Sequence, residues 1–216
     1  MKEEFNGLST STLREIAILE SLPQHPAVVE FKEVVRDDWD RVFVVMEHVE
    51  NDLGRFMAVR RQPMHPNEVK CIMKQLLEGV KFLHENGVMH RDLKPSNILI
   101  NKKGDLKICD FGLSRQFESR SGSYSPKGAV ILSREPRYTI LGRAKPDDNL
   151  FIRKFLEASI ISGVPLPTGL GFDLLKKLLE YDPDKRITAE AALNHGWFKE
   201  FDPHFFLFSK QQQLAQ

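Results

Sequence analysis

Apolar positions along the chain follow two periods. Between Leu8 and Leu22, residues Leu13, Ile16, Ala17, Ile18, Leu19 and Leu22 recur at three and four behind a Ser/Thr-rich start, and Pro23 and Pro26 follow. This spacing predicts an amphipathic helix with a hydroxyl cap and a proline stop. Residues 28–35 and 41–46 alternate instead, on either side of Asp37-Asp38-Trp39-Asp40. They predict adjacent strands joined by an acidic turn. Over residues 66–84 the period returns to three and four through Val69, Ile72, Met73, Leu76, Leu77, Val80 and Leu83, with Pro66 in the first turn and Gly87 just past the end. A core helix is expected there, its charged face solvated. The short runs 98–100 and 106–108 flank Lys102-Lys103-Gly104-Asp105 and predict a hairpin. Residues 138–171 are rich in Pro and Gly, helical text resumes at 171–180 and 189–194, and the tail 199–216 with its Gln run is expected to be poorly ordered.

Composition narrows the class. The chain has 216 residues, 41% of them hydrophobic, enough for one domain or for one lobe plus part of another. Lys and Arg number 31 against 30 Asp and Glu, a formal charge of +1, so nothing argues for nucleic acid or an anionic membrane as partner. No apolar run approaches a membrane span, and MKEEFNG does not have the form of a signal peptide. A soluble intracellular protein is the expectation. Cys71 and Cys109 sit among apolar residues and read as buried thiols of a reducing compartment.

Chemistry concentrates in residues 88–112, VMHRDLKPSNILINKKGDLKICDFG. Asp92 can accept the proton of an attacking hydroxyl and Lys94 can steady a transferring phosphate. Asn97 and Asp110 offer hard oxygen ligands for Mg2+, and the hairpin between them brings both to one edge. The passage resembles the catalytic and magnesium-binding loops of protein kinases. Residues 9–16, STSTLREI, resemble the PITSLRE-type helix of cyclin-dependent kinases, with Ser9 in place of the leading proline. The resemblance makes Glu15 the partner of the ATP-positioning lysine, turns Arg14 towards the activation segment, and implies cyclin binding through residues 9–22. Residues 47–53 resemble the kinase hinge: backbone groups of Glu47 and Val49 meet adenine, Met46 is the gatekeeper and Asp52 the ribose contact. Leu99 joins them in the ATP site. Ser125, 15 positions beyond Asp110, stands where that family carries its activating phosphate, with Arg14, Arg91 and Arg115 as the phosphate cradle.

Beyond Ser125-Pro126 the wording departs from the family. Arg134 and Pro136 are kept, but Arg137 replaces a glutamate whose usual arginine partner corresponds to Arg186. Residues 138–171 contain no Asp-x-Trp-Ser-x-Gly helix, so several tens of residues are expected to be missing. No glycine-rich loop or Val-Ala-Ile-Lys strand precedes residue 9, and residues 1–7 resemble the connector that follows that strand. A start at an internal methionine is the expectation. The fold expected is an α+β, protein-kinase-like two-lobed fold with an incomplete N-lobe. A partial kinase domain spans 1–198, divided into an N-lobe remnant 1–48 and a C-lobe 49–198 with an atypical segment 126–170, and the tail 199–216 follows. The resemblance implies ATP- and Mg2+-dependent phosphorylation of Ser/Thr-Pro sites in proteins, a cyclin partner, and a location in the nucleus or the cytoplasm, with the nucleus favoured. Transfer by these 216 residues alone is expected to be weak or absent. The alternatives are a catalytically silent module that binds a cyclin or kinase regulator, and a mis-assembled gene product.

Overall fold

The computed structural model describes residues 9–39, 41–60, 62–117, 169–180 and 182–199. Ser125, Arg134, Pro136, Arg137, the connector 1–7 and the tail beyond 199 lie outside them. Helix α1, Thr10–Ser21, begins where the Ser9 hydroxyl accepts from the Thr12 N–H, and it ends as Leu22 turns extended ahead of Pro23. Ile16, Ile18 and Leu19 are buried, but Leu13 (38% exposed) and Ala17 are not. Both were expected on the inner stripe. At 3.6 residues per turn they point away from the arc that Ile18, Leu22, Leu19 and Ile16 occupy.

Strands β1, Phe31–Arg36, and β2, Val42–Met46, pair antiparallel with Val34 opposite Val44 and Val35 opposite Phe43. The Asp37 carboxylate shapes their turn by accepting from the N–H groups of Trp39 and Arg41. The first strand was expected from residue 28, yet it starts only at Phe31 because the preceding residues bond elsewhere. Ala27 O accepts from Ile108 N at 2.9 Å, and Val29 N donates to Ile108 O at 3.0 Å. Strand β3, Asn51–Asp52, leads into a short helix α2, Leu53–Ala58, that the apolar pattern did not mark.

Helix α3, Pro66–Glu85, is the central element, closed by Gly87 at φ 69°. Ile72, Leu77, Val80 and Leu83 are buried as their spacing requires. Its charged face is not wholly solvated, because Glu68 (6% exposed) and Lys70 (5%) are buried as well. Glu68 completes a capping box with His65 and pairs with Arg60 at 2.9 Å, while the Lys70 ammonium lies 5.7 Å from the Trp197 ring centre. Gly79 lets α3 approach its neighbours closely: a Cβ there would stand 2.9 Å from Ile108 Cδ1 and 3.1 Å from Ala27 O.

Strand β4, Val88–Met89, carries the chain into the loop before β5, Ile98–Ile100, and β6, Leu106–Ile108, which form the expected hairpin. A three-stranded sheet results, in the order β3-β5-β6. Gln75 of α3 grips its turn, donating to Gly104 O and accepting from Leu106 N, both at 2.9 Å. Strand β7, Arg115–Gln116, returns to pair with β4. Helices α4, Gly169–Leu178, and α5, Ala189–Leu193, follow, and α5 packs on α3 with Lys81 reaching Glu190 at 3.3 Å. Arg186, also buried, donates to Glu180 O at 2.7 Å and has the Glu180 and Asp182 carboxylates beside it. Burial lowers its guanidinium pKa, and the two carboxylates work against that.

Candidate active site

Strand β4 ends at Met89, and the next three residues are held by a buried histidine. His90 Nδ1 accepts from Asp92 N at 3.3 Å, so Nε2 carries the proton and donates to Cys109 O at 2.9 Å. Its ring meets Phe111 edge-on at 5.1 Å, and burial pushes its pKa below the ordinary imidazole value. One histidine thus ties the loop of Asp92 to the residue before Asp110. Ser114, fully buried, adds a second tie by donating from Oγ to His90 O at 3.2 Å.

On this frame the expected groups converge. Lys94 Nζ lies 2.7 Å from Asp92 Oδ2, and that hydrogen bond holds the ammonium pKa up. Asn97 Nδ2 donates to Asp92 O and to Asp92 Oδ2, both at 3.0 Å. Spending both amide hydrogens on Asp92 orients the Asn97 side chain and leaves its oxygen for a cation. Cys109 N donates to Asn97 O at 3.0 Å, so the hairpin sets Asp110 beside Asn97. The Asp110 backbone is left-handed, φ 63°, and its Oδ1 accepts from Gly112 N at 3.3 Å. One amide oxygen and one carboxylate match the hard, partly hydrated coordination that Mg2+ prefers, so this donor set fits the ion.

Glu15 reaches the same loop from α1, its Oε1 accepting from Phe111 N at 3.2 Å. Burial raises its pKa, the Phe111 bond opposes that rise, and the Asp110 charge adds to it. The three arginines that the resemblance assigned to a phosphate cradle also come together. Arg14 donates to Gly112 O at 3.3 Å, Arg91 to Leu113 O at 2.8 and 2.6 Å, and Arg115 to Ser114 O at 2.9 Å. They grip three consecutive carbonyls, and Arg91 does so from a left-handed backbone, φ 68°.

The stretch read as a hinge runs from Met46, which is half-buried against the core. Glu47 N donates to Glu30 O at 3.0 Å, while Glu47 Oε1 accepts from Glu30 N and pairs with Lys107 Nζ, both at 2.7 Å. Among the described residues the peptide groups of Val49 have no backbone partner, which leaves them open to a ligand. Asp52, read as a ribose contact, spends Oδ1 on the N-cap of α2 by accepting from Arg55 N at 2.8 Å. Leu99 is half-buried in β5, opposite Asp52 and Lys107. Lys107 and Ser114 were not picked out in the sequence. Lys107 alternates with buried Leu106 and Ile108, so period two alone puts it on the face away from them. Cys109 is only half-buried, and burial, with the charges of Asp110, Glu15 and Asp52, pushes its thiol up to about 11.

A family model described as "Protein kinase domain" matches residues 1–131. The chain belongs to the protein kinase family. The match ends in the stretch where the wording departs from the family after Ser125. The chain is 38% identical to cyclin-dependent kinase G-1 of Oryza sativa subsp. indica over 262 aligned positions, 93% of this chain and 38% of that protein. It is 39% identical to cyclin-dependent kinase G1 of Arabidopsis thaliana, covering 92% of this chain and 42% of the relative. With human cyclin-dependent kinase 11B the identity is 33%, over 95% of this chain and 33% of the other. This kinase chain therefore spans about two fifths or less of the length of these curated relatives. The 262 aligned positions exceed its 216 residues, so the relatives carry stretches with no counterpart here. A crystal structure of the yeast RNA Pol II CTD kinase CTDK-1 complex superposes with TM-score 0.69 at 26% identity, over 94% of this chain and 85% of that one. The superposition carries the protein kinase fold, and the curated relatives to which the chain is similar are cyclin-dependent kinases.

Proposed function

We propose that this chain binds Mg-ATP through the metal end of the site and the hinge, and that it transfers the γ-phosphoryl group to Ser or Thr hydroxyls before proline only weakly. The observation that carries this reading is the Asp92-Lys94-Asn97 cluster, in which Asn97 is oriented by two bonds to Asp92 and stands beside Asp110. Mg2+ would supply charge neutralisation at the phosphate oxygens, held by Asn97 and Asp110. Asp92 takes the hydroxyl proton as that oxygen bonds to the γ-phosphorus and the bond to the leaving ADP oxygen breaks. Lys94 balances the charge beside it. The Glu47 carbonyl, whose N–H is held by Glu30 O, and the peptide groups of Val49 are the ones that place adenine. The weakness is assigned to Glu15, which meets a peptide N–H of Phe111 and no ammonium among the described residues. One fixed charge missing from a transition state costs on the order of 10² to 10³ in rate.

The same reading assigns a cyclin to the outer side of α1, where Leu13 and Ala17 give an exposed apolar flank, and a nuclear location in keeping with such a partner. A titration of the 216-residue protein with ATP, with and without Mg2+, tests the nucleotide site. Mg-dependent binding that Asp110→Asn abolishes is expected, with turnover at or near the level of Asp92→Asn. Binding indifferent to Mg2+ and to Asp110 would favour the silent-module alternative. Brisk turnover lost in Asp92→Asn would overturn the assigned weakness.

A further inference from the structure

Glu30 and Glu47 stand opposite each other if the β1-β2 register, Phe31 with Met46, is continued by one step. A hydrogen-bonded antiparallel pair exchanges two bonds, each N–H meeting the other residue's carbonyl. Only one of them forms here. Glu47 N donates to Glu30 O at 3.0 Å, but Glu30 N donates to the Glu47 carboxylate, Oε1 at 2.7 Å, in place of the Glu47 carbonyl. Among the described residues that carbonyl accepts no backbone hydrogen bond. The carboxylate is held in its place by Lys107, whose Nζ lies 2.7 Å from the same Oε1, with the two side chains 17% and 22% exposed. A pair so shielded from water makes a charge-assisted bond of the stronger kind. The Glu30 carboxylate does not compete for Lys107, since Lys32 holds it at 2.7 Å and Gln24 at 2.8 Å. Lys107 itself stands opposite Leu99, and Leu99 opposite Asp52, on the sheet face that carries the residues read as ATP contacts.

We propose that Lys107 is a positioning residue for the nucleotide base: by holding the Glu47 carboxylate over Glu30 N it keeps the Glu47 carbonyl free for the amino group of adenine, and it thereby selects adenine over guanine. The inference rests on the Mg-ATP reading above and deepens it. Without the ammonium, a half-buried carboxylate is drawn out towards water. Glu30 N then takes the Glu47 carbonyl, which is the regular strand pairing, and the acceptor is withdrawn from the base. Adenine presents an amino N–H at the position where guanine presents an oxygen. A free carbonyl attracts the first and repels the second, whereas a carbonyl spent on Glu30 N does neither. Lys107 acts through Glu47, and loss of its positive charge weighs equally on the two triphosphates.

Calorimetric titration of the 216-residue protein with Mg-ATP and with Mg-GTP tests this through the ratio of the two affinities. The parent should prefer ATP, and in Lys107→Met the preference should shrink by about fivefold or more. Glu47→Ala, which removes the carboxylate itself, should shrink it equally. Lys107→Met added to Glu47→Ala should change nothing further, because both act through one contact. A general loss of stability would lower both affinities and leave their ratio where it was. Circular dichroism reports the fold of each variant, and if Lys107→Met does not fold, Glu47→Ala carries the comparison. A parent that binds ATP and GTP alike, or a preference that survives in either folded variant, would overturn the proposal while the Mg-ATP reading stands. A parent that binds neither nucleotide would overturn that reading and the proposal with it.

Discussion

His90 shows how a buried titratable group at the heart of the site sets a pH dependence for the whole fold. Its folded pKa lies below the ordinary 6.5, chiefly through burial. As pH falls through 6.5 the unfolded chain takes up a proton that the buried ring refuses, so stability is lost on acidification and is full above that value. His25, stacked on Phe82, has a lowered pKa too and acts in the same direction. Glu15 works oppositely and in a lower window: its raised pKa adds stability that is lost as pH rises past the ordinary 4.5. Melting temperature should therefore drop between pH 7.5 and pH 5.5. His90→Gln should lower stability outright yet flatten that slope; an unchanged slope would assign the dependence elsewhere. At this scale Asp92, Lys94, Asn97 and Asp110 were legible because a short loop and a hairpin fix their spacing. The Lys107 to Glu47 pair was not, since its two halves lie far apart in the chain and only the docking of residues 27–30 between them brings hinge and hairpin together. The arginine trio was legible as a cluster, but its present hold on the carbonyls of Gly112, Leu113 and Ser114 was not, because a backbone acceptor leaves no mark in the side-chain sequence.

Elements followed the apolar period where packing agreed with it and departed where a close neighbour intervened. Helix α3 and the β5-β6 hairpin were readable because buried positions recur with one period from end to end. In α1, helical spacing admitted two stripes, and only contact with the core chose between them. Residues 28–30 alternate as a strand should, yet their hydrogen bonds go to Ile108 and Glu47. Helix α2 escaped notice because six residues are too few for a period to emerge. Gly79 is the clearest test of how tightly α3 is seated. Alanine there gains about 1 kcal/mol in helix propensity, but its Cβ meets a backbone oxygen that cannot swing aside. Gly79→Ala should therefore destabilise the protein, by about 1 to 3 kcal/mol in urea unfolding. A stabilised variant would mean that α3 and residues 27–30 are less tightly apposed.

For the whole molecule, the described residues form two stretches along the chain, 9–117 and 169–199, apart from three single positions. What joins them is packing as well as peptide. Helix α3 from the first stretch lies against α5 from the second, Lys81 reaches Glu190, and the Lys70 ammonium sits by the Trp197 ring. The first stretch is also sealed at its own end, where Phe117 N donates to Gly87 O at 2.9 Å and β7 pairs with β4. Contacts among the described residues thus hold the two stretches together beside the covalent link. Supplied as separate polypeptides, 1–117 and 169–216 should find one another and co-elute, and Lys70→Ala or Trp197→Ala should weaken their recovery together. The molecule would then serve as a split reporter, its halves reuniting through a lysine, a tryptophan and one helical face.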